Sequence, residues 1–438
     1  MSFTIDRQTL EELNLLGKFR QGSVYHLFNR VRTAGGERLL DDMFRHPLSE
    51  AAAINRRSAT FRYFQETMPP FPFEVAGVAS MREYLDVASG KSALVTFAGT
   101  VLKKTLSSMT RDERHKRDVQ GLQATIGTLH RCREFAEALA SSGGAFDDRV
   151  RAIRGVLSDK RLEALLRVDV YQAIPLSALA RYEHLLRSTL HREMEDVLSF
   201  IAETDVYTAV AQVAVEKGFT YAHALGPEAD VLCATGLYHP CLDNAVGNAV
   251  SLDRDRNILF LTGANMAGKS TLMKAIGIGL YLAHMGFPVA ADSMSFSVRD
   301  GLYTSINVSD NIGLGYSHFY AEVVRVRQAA DAVAAGGRLL LMFDELFKGT
   351  NVKDAYDGTL AITEAFSDYR DCLFIVSTHI IEVGEALKAH RNIHFAFMPT
   401  VMDGPYPRYP YTLMEGITED RQGMMIIRNE GILELIGS

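Results

Sequence analysis

Residues 263–271 read Gly263-Ala264-Asn265-Met266-Ala267-Gly268-Lys269-Ser270-Thr271 and follow directly on the apolar run 258–261. A strand, this spacing of glycine, lysine and serine, and a following helix together form the phosphate-binding loop pattern. Backbone N–H groups of such a loop surround the phosphates of a nucleotide, and the helix presents its positive N-terminal end to them. Lys269 is then placed to reach the β- and γ-phosphates, and Ser270 to hold Mg²⁺. The sequence therefore predicts that the chain binds a nucleoside triphosphate.

The composition is that of an ordinary globular protein. The chain has 438 residues, of which 47% are hydrophobic and 23% are charged, and a length above about 250 residues predicts more than one domain. Its four cysteines are scattered without a metal-binding or disulfide spacing, which predicts reduced thiols and a cytoplasmic protein. The apolar segment 275–291 is shorter than the roughly 20 residues of a membrane span. We therefore expect a buried helix there and no membrane association.

The overall charge argues against binding of nucleic acid, whereas one local segment is compatible with it. The net charge of −7 does not favour a large DNA-binding surface, because proteins that contact many phosphates concentrate positive charge. The segment 103–117 is nevertheless locally basic. It is compatible both with a DNA-binding face and with the solvated face of a helix. Its basic residues are Lys103, Lys104, Arg111, Arg114, Lys116 and Arg117.

The pattern of apolar residues changes about half-way along the chain. In the first half helical periodicity dominates, and residues 175–217 carry apolar side chains at three- and four-residue steps, as one face of a single long helix requires. In the second half strands and helices alternate. The short apolar runs 339–343 and 372–376 are typical of parallel strands covered on both faces. We therefore predict an all-α domain over 1–230 and an α/β domain over 231–438.

Polar side chains that can bind a metal ion or transfer a proton follow the two predicted strands. Asp344 and Glu345 end the run 339–343, and an acidic residue at the end of a buried strand beside a phosphate loop is placed to hold Mg²⁺. We assign Asp344 to the metal and Glu345 to activation of the attacking water. His379 follows the run 372–376, where it can reach a γ-phosphate and respond to its presence. These residues predict hydrolysis of the bound nucleotide.

Further motifs accompany the loop in a fixed order. They are Leu237-Tyr238-His239-Pro240 before it, and Ser317-His318-Phe319-Tyr320-Ala321-Glu322, Asp344-Glu345-Leu346-Phe347-Lys348-Gly349-Thr350 and Ser377-Thr378-His379 after it. Together with Asn265-Met266 inside the loop, this set resembles the MutS family of mismatch-repair ATPases, which carries the same elements in the same order. Residues 10–65 are similar to the start of that family's helical core domain. The resemblance therefore covers most of the chain.

The resemblance implies an ABC-type P-loop ATPase domain preceded by an all-α core or lever domain. In that family each ATP lies between two protomers, so the chain would act as a homodimer with ATP and Mg²⁺ as its cofactors. Ser317 of one protomer would then reach the γ-phosphate held by the other. An alternative for Ser317 is an ordinary helix N-cap, a position that serine favours.

The sequence also departs from the family's pattern. Full-length MutS proteins begin with mismatch-reading and connector domains, whereas this chain starts at the helical core, so we expect both domains to be missing. The helical part is short, which leads us to expect a reduced or absent DNA clamp. Residues 245–250 lack the aromatic side chain that the family stacks on adenine. Val246 would offer a weaker apolar contact to the base.

Two functions of different classes fit these observations. The first is a DNA-binding ATPase that acts on structured or branched DNA, not on single mismatches, in repair or recombination. The second is a dimeric, ATP-switched module that engages a protein partner and does not bind DNA. A basic face over 103–117 would favour the first, and an exposed apolar face on the helical domain would favour the second.

Overall fold

The structure is a computed structural model, and it describes residues 3–17, 21–86, 107–168, 176–306, 318–403, 406–418 and 435–436. Two of the sequence predictions fall outside these ranges. Ser317 is not among the described residues, and neither is the beginning of the basic segment, 103–106.

Helices account for most of the first half of the described chain, and four more lie in its second half. They are α1 (Arg7–Glu12), α2 (Val24–Phe28), α3 (Ala34–Arg45), α4 (Ala51–Thr67), α5 (Val75–Asp86), α6 (Ser107–Ser142), α7 (Asp147–Leu157), α8 (Lys160–Leu166), α9 (Leu176–His184), α10 (His191–Lys217), α11 (Lys269–His284), α12 (His318–Ala334), α13 (Val352–Ser367) and α14 (Ile381–Leu387).

The strands alternate with helices in the second half, as the sequence predicted, and one short strand lies near the N-terminus. They are β1 (Thr4–Ile5), β2 (Thr220–Tyr221), β3 (His223–Leu225), β4 (Leu232–Leu237), β5 (Asn248–Leu252), β6 (Ile258–Gly263), β7 (Pro288–Val289), β8 (Ser293–Ser297), β9 (Gly301–Ser305), β10 (Leu339–Asp344), β11 (Leu373–Ser377), β12 (Ile393–Met398), β13 (Val401–Asp403), β14 (Tyr406–Arg408) and β15 (Met414–Glu415).

The chain forms two compact units. The first contains residues 1–28, 44–58 and 213–438, and the second contains residues 29–43 and 59–212. The first unit is a mixed α/β structure, and in its described part the second is helical.

The main sheet of the first unit sets the positions of the predicted site residues. Its strand order is β1-β9-β10-β11-β6-β12-β15, with every pairing parallel except that of β12 with β15. Asp344 lies opposite Ser377, and Ser377 lies opposite Leu261. The carboxyl ends of β10, β11 and β6 therefore lie side by side. The prediction of parallel strands at 339–343 and 372–376 is confirmed.

The segment 275–291 is buried inside the first unit, as predicted. Its helix, α11, is almost wholly buried from Ala275 to His284. A four-stranded sheet of order β3-β8-β4-β5 belongs to the same unit. Among the described residues, none of the helices combines the length and the apolar character needed to cross a membrane.

The compact units differ from the predicted division at residue 230. The first unit also includes N-terminal segments, because β1 pairs with β9 and extends the main sheet. In α4, the side-chain amide of Asn55 exchanges hydrogen bonds of 2.8 and 2.9 Å with the backbone of Ala224. Phe28 packs edge-on against Phe287 with ring centroids 5.4 Å apart. These contacts join residues more than 160 positions apart, which local patterns cannot indicate.

The helical unit also differs from the prediction of one continuous helix over 175–217. Helix α9 passes into a π-helical turn at Leu185–Thr189, and α10 then begins at His191. Most of the predicted apolar face is nevertheless buried, and only Tyr182 is partly exposed. Its buried members are Leu179, Leu186, Leu190, Met194, Val197 and Ile201.

Candidate functional site

The predicted phosphate loop connects β6 to α11. Gly263 and Gly268 have φ angles of 141° and 103°, values that favour glycine. A Cβ atom at Gly263 would lie 2.8 Å from the carbonyl oxygen of Met398, so the loop runs close against the end of β12. Met266, at the top of the loop, also has a positive φ and is 80% exposed. The loop therefore projects from the sheet edge with its backbone held in a tight curve.

Lys269 is buried at the start of α11 with its ammonium group turned back toward the loop. Its Nζ donates to the carbonyl oxygens of Gly263 at 2.8 Å and Ala264 at 3.1 Å. Burial lowers the pKa of Lys269, and the negative charges of Asp344 and Glu345 oppose that shift. The positive charge is thus concentrated inside the loop, where a phosphate would be recognised.

Ser270 and Asp344 meet across the sheet edge. The Ser270 hydroxyl donates a hydrogen bond to Oδ2 of Asp344. Burial raises the pKa of Asp344, while its hydrogen bonds with Ser270 and Ser377 act in the opposite direction. A hydroxyl and a carboxylate are oxygen ligands of the kind that Mg²⁺ prefers. A cation here would also compensate a carboxylate that is costly to bury, so the residues present fit the predicted Mg²⁺.

Glu345 turns the chain sharply at the end of β10. Its φ is 52°, unusual for a residue with a side chain, and such conformations cluster at functional sites. Its N–H donates to the carbonyl oxygen of Ser377 at 2.8 Å. Its Oε1 lies 3.5 Å from Nδ1 of His379. The hydrogen bond with His379 lowers the pKa of Glu345, and the same bond raises the pKa of His379.

A cavity of about 560 Å³ opens beside these groups. Predicted residues that line it are Val246, Asn265, Met266, Gly268, Lys269, Ser270, Thr271, Asp344 and Glu345. Gly263, Ala264, Ala267 and His379 are not part of its lining. The first three belong to the loop itself, and His379 lies beside the lining residue Glu345.

The cavity also contains residues that sequence reasoning missed. The segment 245–250 lacks an aromatic side chain, but Tyr411 lines the same cavity as Val246. A Cβ atom at Gly268 would lie 2.9 Å from Cδ1 of Tyr411, so the ring lies directly against the phosphate loop. His239, from the motif before the loop, lines the cavity as well. Its pKa is lowered to about 4, mainly because it is buried and also because the positive charge of Lys274 is near.

Asn248 connects the two chain segments that carry Val246 and Tyr411. Its Nδ2 donates to the carbonyl oxygens of Val246 at 3.2 Å and Tyr411 at 3.0 Å, and its Oδ1 accepts from the N–H of Leu413 at 2.6 Å. The tyrosine-rich segment before Leu413 was visible in the sequence. Because Tyr411 is more than 160 residues from Val246 in the chain, the sequence did not indicate that the two line one cavity.

The first unit is thus an α/β domain that brings the predicted phosphate loop beside Asp344 and Glu345, and the second unit is helical. Comparison with protein families matches residues 259–436 to MutS domain V and residues 8–211 to MutS domain III. Domain V is the family's α/β ATPase domain, and domain III is helical, in agreement with the two folds described above. This chain belongs to the MutS family.

Curated relatives agree with the family match. The chain is 29% identical over 250 residues to the DNA mismatch repair protein MutS of Natronomonas pharaonis, covering 56% of this chain and 28% of the relative. It is 31% identical over 198 residues to that of Anaplasma phagocytophilum, with coverages of 44% and 24%. It is 31% identical over 244 residues to that of Streptococcus sanguinis, with coverages of 54% and 25%. The chain therefore spans about a quarter of the length of these relatives.

Proposed function

We propose that this chain is a MutS-like ABC-type ATPase that hydrolyses ATP with Mg²⁺ between two copies of itself and acts on DNA structure in repair or recombination. The observation that carries the proposal is the convergence of Lys269, Ser270, Asp344 and Glu345 on one cavity. These residues come from the end of one strand, β10, and the start of one helix, α11, and they provide a cation, a hydroxyl and two carboxylates. Phosphoryl transfer to water requires this combination of groups.

Each residue has a distinct task in the proposed reaction. Lys269 and the N–H groups of the loop stabilise negative charge on the transferring phosphoryl group. Ser270 and Asp344 would hold Mg²⁺, which supplies charge neutralisation at the phosphate oxygens when bound. Glu345 accepts the proton of the attacking water, and a lowered pKa keeps its carboxylate ionised for that purpose. His379 orients Glu345 and senses the γ-phosphate.

The dimeric site and the DNA substrate rest on family resemblance. In the proposed dimer, Ser317 of one protomer reaches the γ-phosphate bound by its partner, so the isolated protomer is nearly inactive. The helical domain serves as a lever, with its DNA clamp reduced or absent. The proposed substrate is therefore branched or structured DNA and not a single mismatch.

Steady-state ATP hydrolysis with and without a panel of duplex, single-stranded and branched DNA tests the proposal. We expect hydrolysis that one DNA form stimulates or inhibits at moderate salt. Failure of the protein to bind or hydrolyse ATP would overturn the ATPase assignment. Hydrolysis indifferent to every DNA, with no DNA binding, would overturn the DNA assignment alone.

One observation favours the alternative function, an ATP-switched module for a protein partner. The hairpin of β13 and β14 exposes apolar side chains close in sequence to the cavity residue Tyr411. Val401 is 50% exposed and Tyr406 is 71% exposed. This hairpin belongs to the α/β unit, not to the helical domain on which an apolar face was expected, and a contiguous exposed apolar patch is what marks an interaction surface. DNA-independent hydrolysis would make this function the better explanation.

A further inference from the structure

We infer that helix α1 positions one wall of the nucleotide cavity and that Glu12 is a positioning residue for ATP binding. The inference rests on the proposed function, because it assigns a task in holding the same nucleotide. It concerns residues far from the phosphate loop in sequence. No motif in the chain identifies these residues, but hydrogen bonds within the first compact unit connect them to the cavity.

Glu12 holds the chain where β9 ends. Its Oε2 accepts from the Thr304 hydroxyl at 2.5 Å and from the backbone N–H of Ile306 at 3.0 Å. Its Oε1 accepts from Nε2 of Gln8 at 2.7 Å. Glu12 is only 9% exposed. Oε2 therefore ties α1 to the end of β9, while Oε1 is held within α1 itself.

Ile306 links this carboxylate to the nucleotide cavity. Strand β9 ends at Ser305, so the amide of Ile306 lies beyond the strand pairing. Its side chain is buried and lines the cavity that also contains Lys269 and Asp344. A hydrogen bond from an N–H to a carboxylate is stronger than a neutral one and fixes direction as well as distance. Removal of Glu12 would release this part of the cavity wall.

A second group of contacts joins α1 to α12. Thr9 Oγ1 accepts from the N–H of Thr304 at 3.0 Å and from Nη2 of Arg325 at 2.9 Å. Arg325 Nε donates to the carbonyl oxygen of Thr304 at 2.8 Å, and its guanidinium forms an ion pair with Asp6. The guanidinium also lies 3.7 Å from the ring centroid of Tyr303.

These contacts make α1, the end of β9 and α12 one hydrogen-bonded body. Thr9 and Thr304 are fully buried and Arg325 is 4% exposed, so water cannot replace the lost partners. A change in α1 is therefore transmitted to Ile306 and to α12. In sequence, α12 begins directly after Ser317, the residue proposed to act on the partner's nucleotide.

Adjacent glutamates on α1 provide a matched test. We expect Glu12→Ala to raise the KM for Mg-ATP about tenfold, the effect of losing one or two charge-assisted hydrogen bonds, with a smaller change in kcat. Glu12→Gln keeps an acceptor oxygen and should restore most of the affinity. Glu11→Ala should behave like the unaltered protein, because Glu11 pairs with Arg7 in solvent.

Amide hydrogen exchange gives a readout that does not need nucleotide. Exchange at Ile306 should become faster in Glu12→Ala and stay unchanged in Glu11→Ala. If Glu12→Ala does not fold, Thr9→Val serves as the second variant, since it keeps the shape and removes the acceptor for Thr304 and Arg325. Arg327→Ala is its control, on the exposed face of α12.

The outcomes separate this inference from the proposed function. Normal KM and normal exchange at Ile306 in Glu12→Ala, with ATP hydrolysis intact in the unaltered protein, would overturn the inference alone. A lower melting temperature with unchanged KM would show a merely structural role and would also overturn it. If the unaltered protein binds no ATP, the proposed function fails and the inference fails with it.

Discussion

Nδ1 of His379 lies 3.5 Å from Oε1 of Glu345 and joins the chain segments that follow two adjacent parallel strands. Glu345 directly follows β10, and His379 follows β11 after one intervening residue. The imidazole is about half exposed, whereas the carboxylate is largely covered. Glu345 therefore has a partner that orients it and that can change charge near neutral pH.

The first prediction concerns the titration of His379. Hydrogen bonding to Glu345 raises its pKa above the usual 6.5, so the imidazolium persists to higher pH and the ion pair is lost as pH rises through that raised pKa. Glu345→Gln removes the negative charge and should return the His379 pKa toward 6.5. NMR titration of the imidazole protons measures this. An identical His379 titration in both proteins would contradict the ion pair, and the His390 signal serves as an internal control.

The second prediction concerns the base end of the cavity. Tyr411→Ala should weaken Mg-ATP binding about tenfold, because stacking of a base on an aromatic ring contributes roughly 1–3 kcal/mol. Tyr411→Phe should bind normally, since the ring and not the hydroxyl provides the contact. Equilibrium titration with a fluorescent ATP analogue measures both affinities. Tyr406→Ala, on the exposed hairpin, is the control, and equal binding by Tyr411→Ala and this control would exclude the contact.

The third prediction concerns the stability of the helical unit. Asp205 is buried, and its carboxylate accepts from the N–H groups of Arg32 at 3.0 Å and Thr33 at 2.7 Å and from the Thr33 hydroxyl at 2.7 Å. Asp205→Ala should lower the free energy of unfolding by about 2–4 kcal/mol, because the buried N–H and hydroxyl of Thr33 and the partly buried N–H of Arg32 lose their partner. Asp205→Asn, which keeps one oxygen, should cost less.

Urea-induced unfolding followed by circular dichroism measures this loss. Asp148→Ala is the matched control, since Asp148 is 95% exposed and pairs with Arg151 on the helix surface; exposed pairs of this kind contribute little. If Asp205→Ala unfolds at the same urea concentration as the control, Asp205 does not anchor the backbone of residues 32–33 to helix α10.

The phosphate loop and the two carboxylates were predictable because their geometry is local. Parallel strands end at the same sheet edge, so a residue just after each strand must lie near its neighbours. Asp344 and Glu345 follow this rule at the end of β10, and the loop after β6 brings Lys269 to the same cavity. Short-range patterns were sufficient for this part of the site.

The remaining features depend on contacts between distant parts of the chain. Tyr411 reaches the cavity through a segment after β14, and Glu12 reaches Ile306 across more than 290 residues. The π-helical turn at Leu185–Thr189 leaves the apolar spacing almost unchanged. Periodicity therefore indicated the buried face of the helix and not its interruption.

Mg-ATP binding and single-turnover hydrolysis of Lys269→Ala and Glu345→Ala, side by side, test the proposed site most directly. We expect Lys269→Ala to lose nucleotide binding, because the loop loses its buried cation. Glu345→Ala should bind ATP with nearly normal affinity and hydrolyse it at least about 100-fold more slowly, as expected when a general base is removed. Equal loss of binding in the two variants, or unimpaired hydrolysis by Glu345→Ala, would contradict the assigned roles.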